Sequence, residues 1–425
     1  MTRNGDPILP VELWANIMRH CPSETLRMLA LVSHGCHREA RKHLYRSLYF
    51  GHGSRHDDET KYSGTRIRNL SAFRRSLSAW PGWRSAVEDA RLCWTNNGTA
   101  YCWKEPERAE TGDETRLNEL VRETAALLAG SAVLRNLHLS IPRLDSTVPF
   151  GVPDRLTSLD IPVTDCLHND PDFSALLRLF QIPSLRRVRL LQMLRLTCDV
   201  PDRCRQPGTS NVTSLSFSQC GPVSPEIAHL LSWPKQLQVL CFEMDLADGL
   251  NSYAYDSGAM SSTKTREALW PVEHSLQDLN IDIADQGGCW VGQALQEDAF
   301  QTFAKLRRLS IPLRMLTDFV RLDGLHDPAD PPLCTRLPPT IQQLTLKLDF
   351  DFCWGDYGTL RPSSEAKRVV AYVAALAEHS RICCPELSEI RISTGLWMDK
   401  LPARLECTRG LIKVLAQSGI ALSFS

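Results

Sequence analysis

Cysteine and histidine are the side chains in this sequence that stand close enough together to suggest chemistry. His34-Gly35-Cys36-His37 puts three possible metal ligands into four positions. A structural zinc site needs a second ligand pair at a useful spacing, and none follows. Cys166 and His168 are isolated. Cys383 and Cys384 are adjacent, which fits neither the Cys-x-x-Cys redox arrangement nor an easy disulfide. No Gly-x-x-x-x-Gly-Lys-Ser/Thr loop is present to cradle a phosphate. No Gly-x-Ser-x-Gly elbow is present to hold a nucleophile. The carboxylates form no pair that stands apart from surface charge. The expectation is therefore a binding protein with no catalytic residues, no metal and no cofactor. Catalytic groups gathered by folding from distant positions leave no such signature, so an enzyme of unrecognised type stays as a rival.

Charge narrows the partners. The chain has 48 basic and 49 acidic residues, a formal net charge of −1, which argues against wholesale nucleic-acid binding. One stretch is locally basic: Arg38, Arg41, Lys42, Arg46, Arg66, Arg68, Arg74 and Arg75. A solvated face explains it better than a phosphate-binding patch. Residues 1–8 are polar and no apolar run is long enough to span a bilayer, so neither a secretory signal nor a membrane segment is expected. The 15 cysteines are an odd number without a framework. They fit reduced thiols in the cytoplasm or nucleus.

The elements begin with three short amphipathic helices. Pro10 suits a first helical turn, and Glu12 suits the positive end of the helix dipole. Leu13 and Ile17 fall four apart on one face, with Trp14 and Met18 beside them. Pro22 and Ser23 break the helix, Ser23 being a possible cap for the next. That second helix would align Leu26, Leu29, Val32 and Cys36, and a third would run from about His37 to His43. Three helices of this size bury little apolar surface. Trp14, Met18 and Met28 would then be in excess unless a partner covers them.

This opening segment resembles an F-box of the fungal type. The residues that carry the resemblance are Leu9-Pro10-Val11-Glu12-Leu13, the leucine-rich Leu29-Ala30-Leu31-Val32-Ser33 and Leu44-Tyr45-Arg46-Ser47-Leu48. The family often has an aromatic where Cys36 stands. The resemblance implies binding to the Skp-family adaptor of a cullin-RING ubiquitin ligase. Leu9, Pro10, Leu13, Trp14, Ile17, Leu26, Leu29, Val32 and Ser33 would make that contact.

Residues 1–50 are thus expected to form the F-box, 51–85 a linker and junction helix, and 86–425 one further domain. In that last part a segment of the form hydrophobic-x-x-hydrophobic-x-hydrophobic recurs. Copies include Leu134/Leu137/Leu139, Leu185/Val188/Leu190, Leu276/Leu279/Ile281 and Leu387/Ile390/Ile392. Each ends in strand alternation, and helical stretches lie between. Helices are expected at 118–129, 172–180, 224–233, 297–304, 365–379 and 409–417. A repeated strand plus helix outlines a leucine-rich-repeat solenoid. The spacing is loose, from about 22 to about 47 residues against the usual 20–29. The fold expected is an α+β or α/β solenoid: an N-terminal three-helix F-box, then an irregular leucine-rich-repeat-like domain. An open, doubly wound α/β domain is the alternative.

In a solenoid the residues between the buried strand positions face outward. That predicts a row of His138, Asp160, Arg189, Ser216, Asn280, Asp282, Ser310, Lys347 and Arg391. The row is chemically mixed and suits recognition of a protein surface. Trp354 and Tyr357, among acidic residues in an inserted segment, are further target-binding candidates. Together with the F-box resemblance, this implies the substrate-recognition subunit of an SCF-type ligase, with an unknown protein target. An F-box scaffold acting outside a ligase is the second rival.

Overall fold

A computed structural model describes residues 11–52, 65–79, 81–94, 112–140, 155–162, 173–191, 193, 200–220, 223, 225–245, 262–284, 300–312, 315, 333–347, 362–393 and 415–424. The class is α/β, built on parallel strands with helices between them. Two compact units are present: Met1–Thr164 with Ser174–Val188, and Asp165–Phe173 with Arg189–Ser425.

The first unit opens with α1 (Val11–Arg19), α2 (Ser23–Leu29) and α3 (His34–Leu44). Glu12 in the first turn of α1 and Arg19 in its last complement the helix dipole. Ser33 caps α3 by accepting a hydrogen bond from the Cys36 backbone N–H at 3.1 Å. The third helix therefore starts three residues before the sequence pattern suggests, because the capping serine rather than the apolar spacing sets its start. Ser23 does not cap α2: it is the first helical residue, and Pro22 precedes it without a side-chain cap. Met18, Leu26, Cys36 and Ala40 fill a small core, with Trp14, Cys21, Leu29, Ala30 and Leu44 packed around it.

The same unit contains β1 (Ser47–His52), β2 (Thr65–Arg66), β3 (Asp89–Trp94), β4 (Asn136–Ser140) and β5 (Ser158–Pro162). They lie in the order β2-β1-β3-β4-β5, each strand parallel to its neighbours. β1 crosses the boundary expected at residue 50, and its Leu48, Tyr49 and Phe50 are buried. Between strands run α4 (Leu70–Ala79), α5 (Gly112–Ala129) and α6 (Phe173–Phe180). A 3-10 turn, Pro81–Ala86, follows α4 where the sequence places the end of the junction helix.

β6 (Arg187–Leu191) carries the division between the units. In the second unit, β7 (Ser214–Cys220), β8 (Val239–Asp245), β9 (Asp278–Ala284), β10 (Arg308–Pro312), β11 (Gln343–Lys347), β12 (Glu389–Ser393) and β13 (Ala421–Phe424) lie side by side in chain order. A doubly wound sheet needs the order to reverse, and from β7 to β13 it never does. Helices here are α7 (Ile227–Leu231), α8 (Ser262–Leu269) and α9 (Pro362–Cys383). The helix expected at 224–233 shrinks to five residues preceded by Glu226, without a side-chain cap. Residues 300–304, expected to be helical, are turn; Phe300 and Phe303 pack edge to face there instead, both buried.

One backbone step repeats through both units. The Arg46 carbonyl accepts from the N–H groups of Glu88 and Asp89, and the Glu88 carbonyl from those of Arg135 and Asn136. The carbonyls of Thr213, Gln238, Gln277, Arg307 and Gln342 do the same for the start of the next strand. Hydroxyls reinforce it, those of Thr157 and Ser388 by donating to the step carbonyls of Arg135 and Gln342 themselves. Ser184, Ser275 and Thr340 donate to the carbonyls of Leu156, Leu237 and Leu306, each the first apolar position of the preceding copy. The leucines and isoleucines of the strands then fall in register. Leu215, Leu240, Leu279, Leu309, Leu344 and Ile390 are all buried.

Among the described residues, no helix is long and apolar enough to cross a membrane.

Candidate interaction surfaces

Two sets of side chains were expected to meet partners, and the fold treats them differently. The first lies on α1 to α3. Leu9 and Pro10 fall outside the described residues. Leu13 and Ile17 stay on the surface of α1, 49% and 45% exposed, while Met18 one position on is fully buried. Helical geometry separates them, since i and i+4 share a face and i+5 does not. Met28, Leu31 and Val32 are exposed at 68%, 82% and 70%. Five of the seven large apolar side chains exposed among the described residues thus lie between Leu13 and Val32.

The remaining members of the set behave otherwise. Leu26 is buried in the helices' own core, and Leu29 and Trp14 are packed half against it. Met18, expected to be surplus, is fully buried in that core. Val32 is not on a stripe continuing from α2, because α2 stops at Leu29 and Val32 sits in the turn before α3. The Ser33 hydroxyl is engaged as the cap of α3. Sequence periodicity missed Leu31 as a surface group, because it treated 26–36 as one helix. The metal-like His34–His37 motif forms no cluster: Cys36 is buried, and no group of three metal-competent side chains occurs among the described residues.

The second set lies along the strands, on positions alternating with the buried leucines. Adjacent strands align Ser216 with Cys241, Cys241 with Asn280, Asn280 with Ser310, Ser310 with Thr345 and Thr345 with Arg391. Strand alternation alone would have added Cys241, Glu243, Ser218 and Thr345 to the expected row. The row is hydrogen-bonded within itself. In the first unit His138 Nδ1 lies 2.6 Å from Asp160 Oδ2. In the second, Arg189 donates to Ser218 Oγ at 2.6 Å and to Glu243 Oε2 at 2.8 Å, and Ser218 also donates to Glu243. Lys347 donates to Asn280 Oδ1 at 2.8 Å and pairs with Asp282 at 3.0 Å. The Asn280 amide in turn donates to Cys241 Sγ at 3.1 Å.

Arg391 pairs with Glu389 at 3.0 Å, and Ser423 donates to the same carboxylate at 2.9 Å. The Ser423 hydroxyl first, and the Arg391 guanidinium second, hold the Glu389 carboxyl below its ordinary range. Burial pushes the Cys241 thiol up, so it is no thiolate nucleophile. Burial likewise pushes Cys334 and Cys384 up to about 12, leaving the thiol beside Cys383 inert at neutral pH. Trp354 and Tyr357 lie outside the described residues. What the row offers is a set of paired charges and hydroxyls on a parallel sheet, with its donors and acceptors largely engaged with each other.

The chain matches no known family model and no curated protein.

Proposed function

We propose that this protein is the substrate-receptor subunit of an SCF-type ubiquitin ligase. Its first three helices act as an F-box that docks a Skp-family adaptor. Its strands act as an irregular leucine-rich-repeat-like solenoid that holds a target protein. The observation that carries the first part is the exposed apolar set Leu13, Ile17, Met28, Leu31 and Val32, on helices whose own core is already filled by Met18, Leu26, Cys36 and Ala40. Exposed apolar side chains concentrated in one short segment are a mark of protein contact. The second part is supported by the strand order from β7 to β13 and by the backbone step that recurs from copy to copy.

The mechanism is proximity. Tethering raises the effective concentration of target lysines at the carrier thioester, and this chain makes no bond itself. The polar row of Arg189, Asn280, Asp282, Lys347 and Arg391 in the second unit, with His138 and Asp160 in the first, is the proposed target-facing chemistry. Paired charges of this kind favour selectivity over raw affinity.

The test is a binding measurement between the purified chain and a purified Skp-family adaptor. Leu13→Asp with Ile17→Asp should abolish binding while the circular dichroism melt stays close to that of the parent. Retained binding by the folded double variant would overturn the contact assignment. Co-purification of a cullin with the parent chain separates a ligase subunit from a scaffold bound to the adaptor alone.

A further inference from the structure

A cavity of about 630 Å³ lies beside α3, closed on one side by the 3-10 turn Pro81–Ala86. Its lining carries five cations: Arg19, Arg38, Arg41, Lys42 and Arg46. Arg38, Arg41 and Lys42 share one face of α3, being three and four positions apart. Arg19 comes from the last turn of α1, and Arg46 follows the end of α3. One lining carboxylate, Glu88, pairs with Arg46 at 3.0 Å, and Lys42 is held by Glu39 at 2.7 Å. Among the described residues, Arg19, Arg38 and Arg41 have no carboxylate partner. The lining therefore carries a net charge of +4 with His43 neutral.

The cavity is built rather than incidental. Trp83 stacks on Tyr45 with ring centroids 5.0 Å apart, and the Arg41 guanidinium lies 5.0 Å from the Trp83 ring centre. Arg84 Nε donates to the Leu77 carbonyl at 3.2 Å, which ties the 3-10 turn to α4. Two buried nitrogens in the lining, His43 Nε2 and Trp83 Nε1, have no hydrogen-bond partner among the described residues. Glu39 stands 3.8 Å from His43 Nε2, beyond hydrogen-bond reach. Buried polar nitrogens without a partner are uncommon in folded proteins.

We propose that this cavity binds a small, multiply phosphorylated anion. Guanidinium forks match phosphate oxygens in pairs. The volume falls in the range of about 300–1,000 Å³ that small-ligand sites occupy. Each phosphoryl group brings roughly −1.5 to −2 charges, so two or more groups balance the lining. A nucleic acid would need a continuous basic track instead, on a chain whose net charge is −1. The basic stretch that sequence reading assigns to a solvated face is thus gathered, at Arg38, Arg41, Lys42 and Arg46, into one concave site. The site does not rest on the ligase reading, because none of the exposed apolar side chains lines it.

The experiment uses the full chain, with sodium tripolyphosphate and orthophosphate as probes in isothermal titration calorimetry at physiological salt. Tripolyphosphate should bind saturably at one equivalent, at least about tenfold more tightly than orthophosphate, as several charge-assisted hydrogen bonds replace few. Arg38→Gln with Arg41→Gln should weaken it by about tenfold or more. Arg19→Gln, which breaks no described contact, provides an arm free of any effect on Trp83 packing. Lys305→Gln, outside the lining, should change nothing. In the parent chain, tripolyphosphate should raise the titration midpoint of the His43 ring protons in NMR. That ring faces Arg19, Lys42 and Arg46 as well as Glu39, so an added anion offsets the three repulsive cations. Absence of saturable binding, equal loss in Lys305→Gln, or an unmoved His43 would overturn the proposal. Tighter binding of a 20-nucleotide single strand than of tripolyphosphate would overturn it in favour of nucleic acid.

Discussion

The three N-terminal helices and the strand array of the second unit solve the same problem in opposite ways. The helices bury Met18, Leu26, Cys36 and Ala40 and leave Leu13, Ile17, Met28, Leu31 and Val32 in solvent. Among the described residues, the array buries Leu215, Leu240, Leu279, Leu309, Leu344 and Ile390 and turns toward solvent a polar row that bonds to itself. The array's leucines are covered by apolar residues of its own helices, among them Leu230, Leu269 and Leu376, all buried. A small helical module with apolar groups outside is stable only modestly by itself, and five of its large apolar side chains face solvent beside a buried core of four residues. The difference separates residues that hold the fold from residues that can be spent on recognition.

The comparison breaks first at Trp233. Its ring is fully buried and its Nε1 donates to the Cys204 carbonyl at 2.8 Å. Trp233→Ala should cost about 3–5 kcal/mol in urea unfolding, mostly from cavity creation, since the Cys204 carbonyl keeps the Gln206 N–H as a donor. A loss under about 1 kcal/mol would show that the array's interior is far looser than its burial implies. Next comes Ser33→Ala, which removes the cap of α3 and should cost about 1 kcal/mol. A melt unchanged by that substitution would mean that α3 is held by packing alone.

A smaller effect is expected with pH. Burial, aided by Arg19, Arg46 and Lys42 and opposed by Glu39, holds His43 below its ordinary value of 6.5. The unfolded chain therefore takes up a proton near pH 6.5 that the folded chain refuses until lower pH. Stability should fall as pH drops from about 6.5 through the folded value. His43→Gln should flatten that part of the profile, and an unaltered slope would assign it to other groups. The smallest effect sharpens the contrast most. Leu13→Ser with Ile17→Ser should change stability by no more than about 0.5 kcal/mol per site, since those side chains are already half in water. A larger loss would place them in the fold's own interior.

The strand positions were readable because their spacing is set by burial. Leu279 with Ile281, Leu309 with Ile311 and Leu344 with Leu346 each sit where the repeated pattern puts them. β12 (Glu389–Ser393) likewise lies on the copy at Leu387/Ile390/Ile392. β1 was not readable, since Leu48, Tyr49 and Phe50 form a continuous apolar run without alternation, and pairing with β2 and β3 makes them a strand. The helix at Ser262–Leu269 went unseen because Ser-Thr-Lys-Thr-Arg gives a weak apolar stripe. The polar row was legible as positions but not as a network. The contacts from Lys347 to Asn280 and from Arg189 to Glu243 skip an intervening strand, which no local pattern encodes. The cationic cavity was legible as composition, while Trp83 and Arg19 join it only through folding.

One consequence follows from strands that neighbour each other in chain order. No strand from β7 to β13 waits for a distant stretch of sequence to arrive, so ordering can spread from any copy to the next like a closing zip fastener.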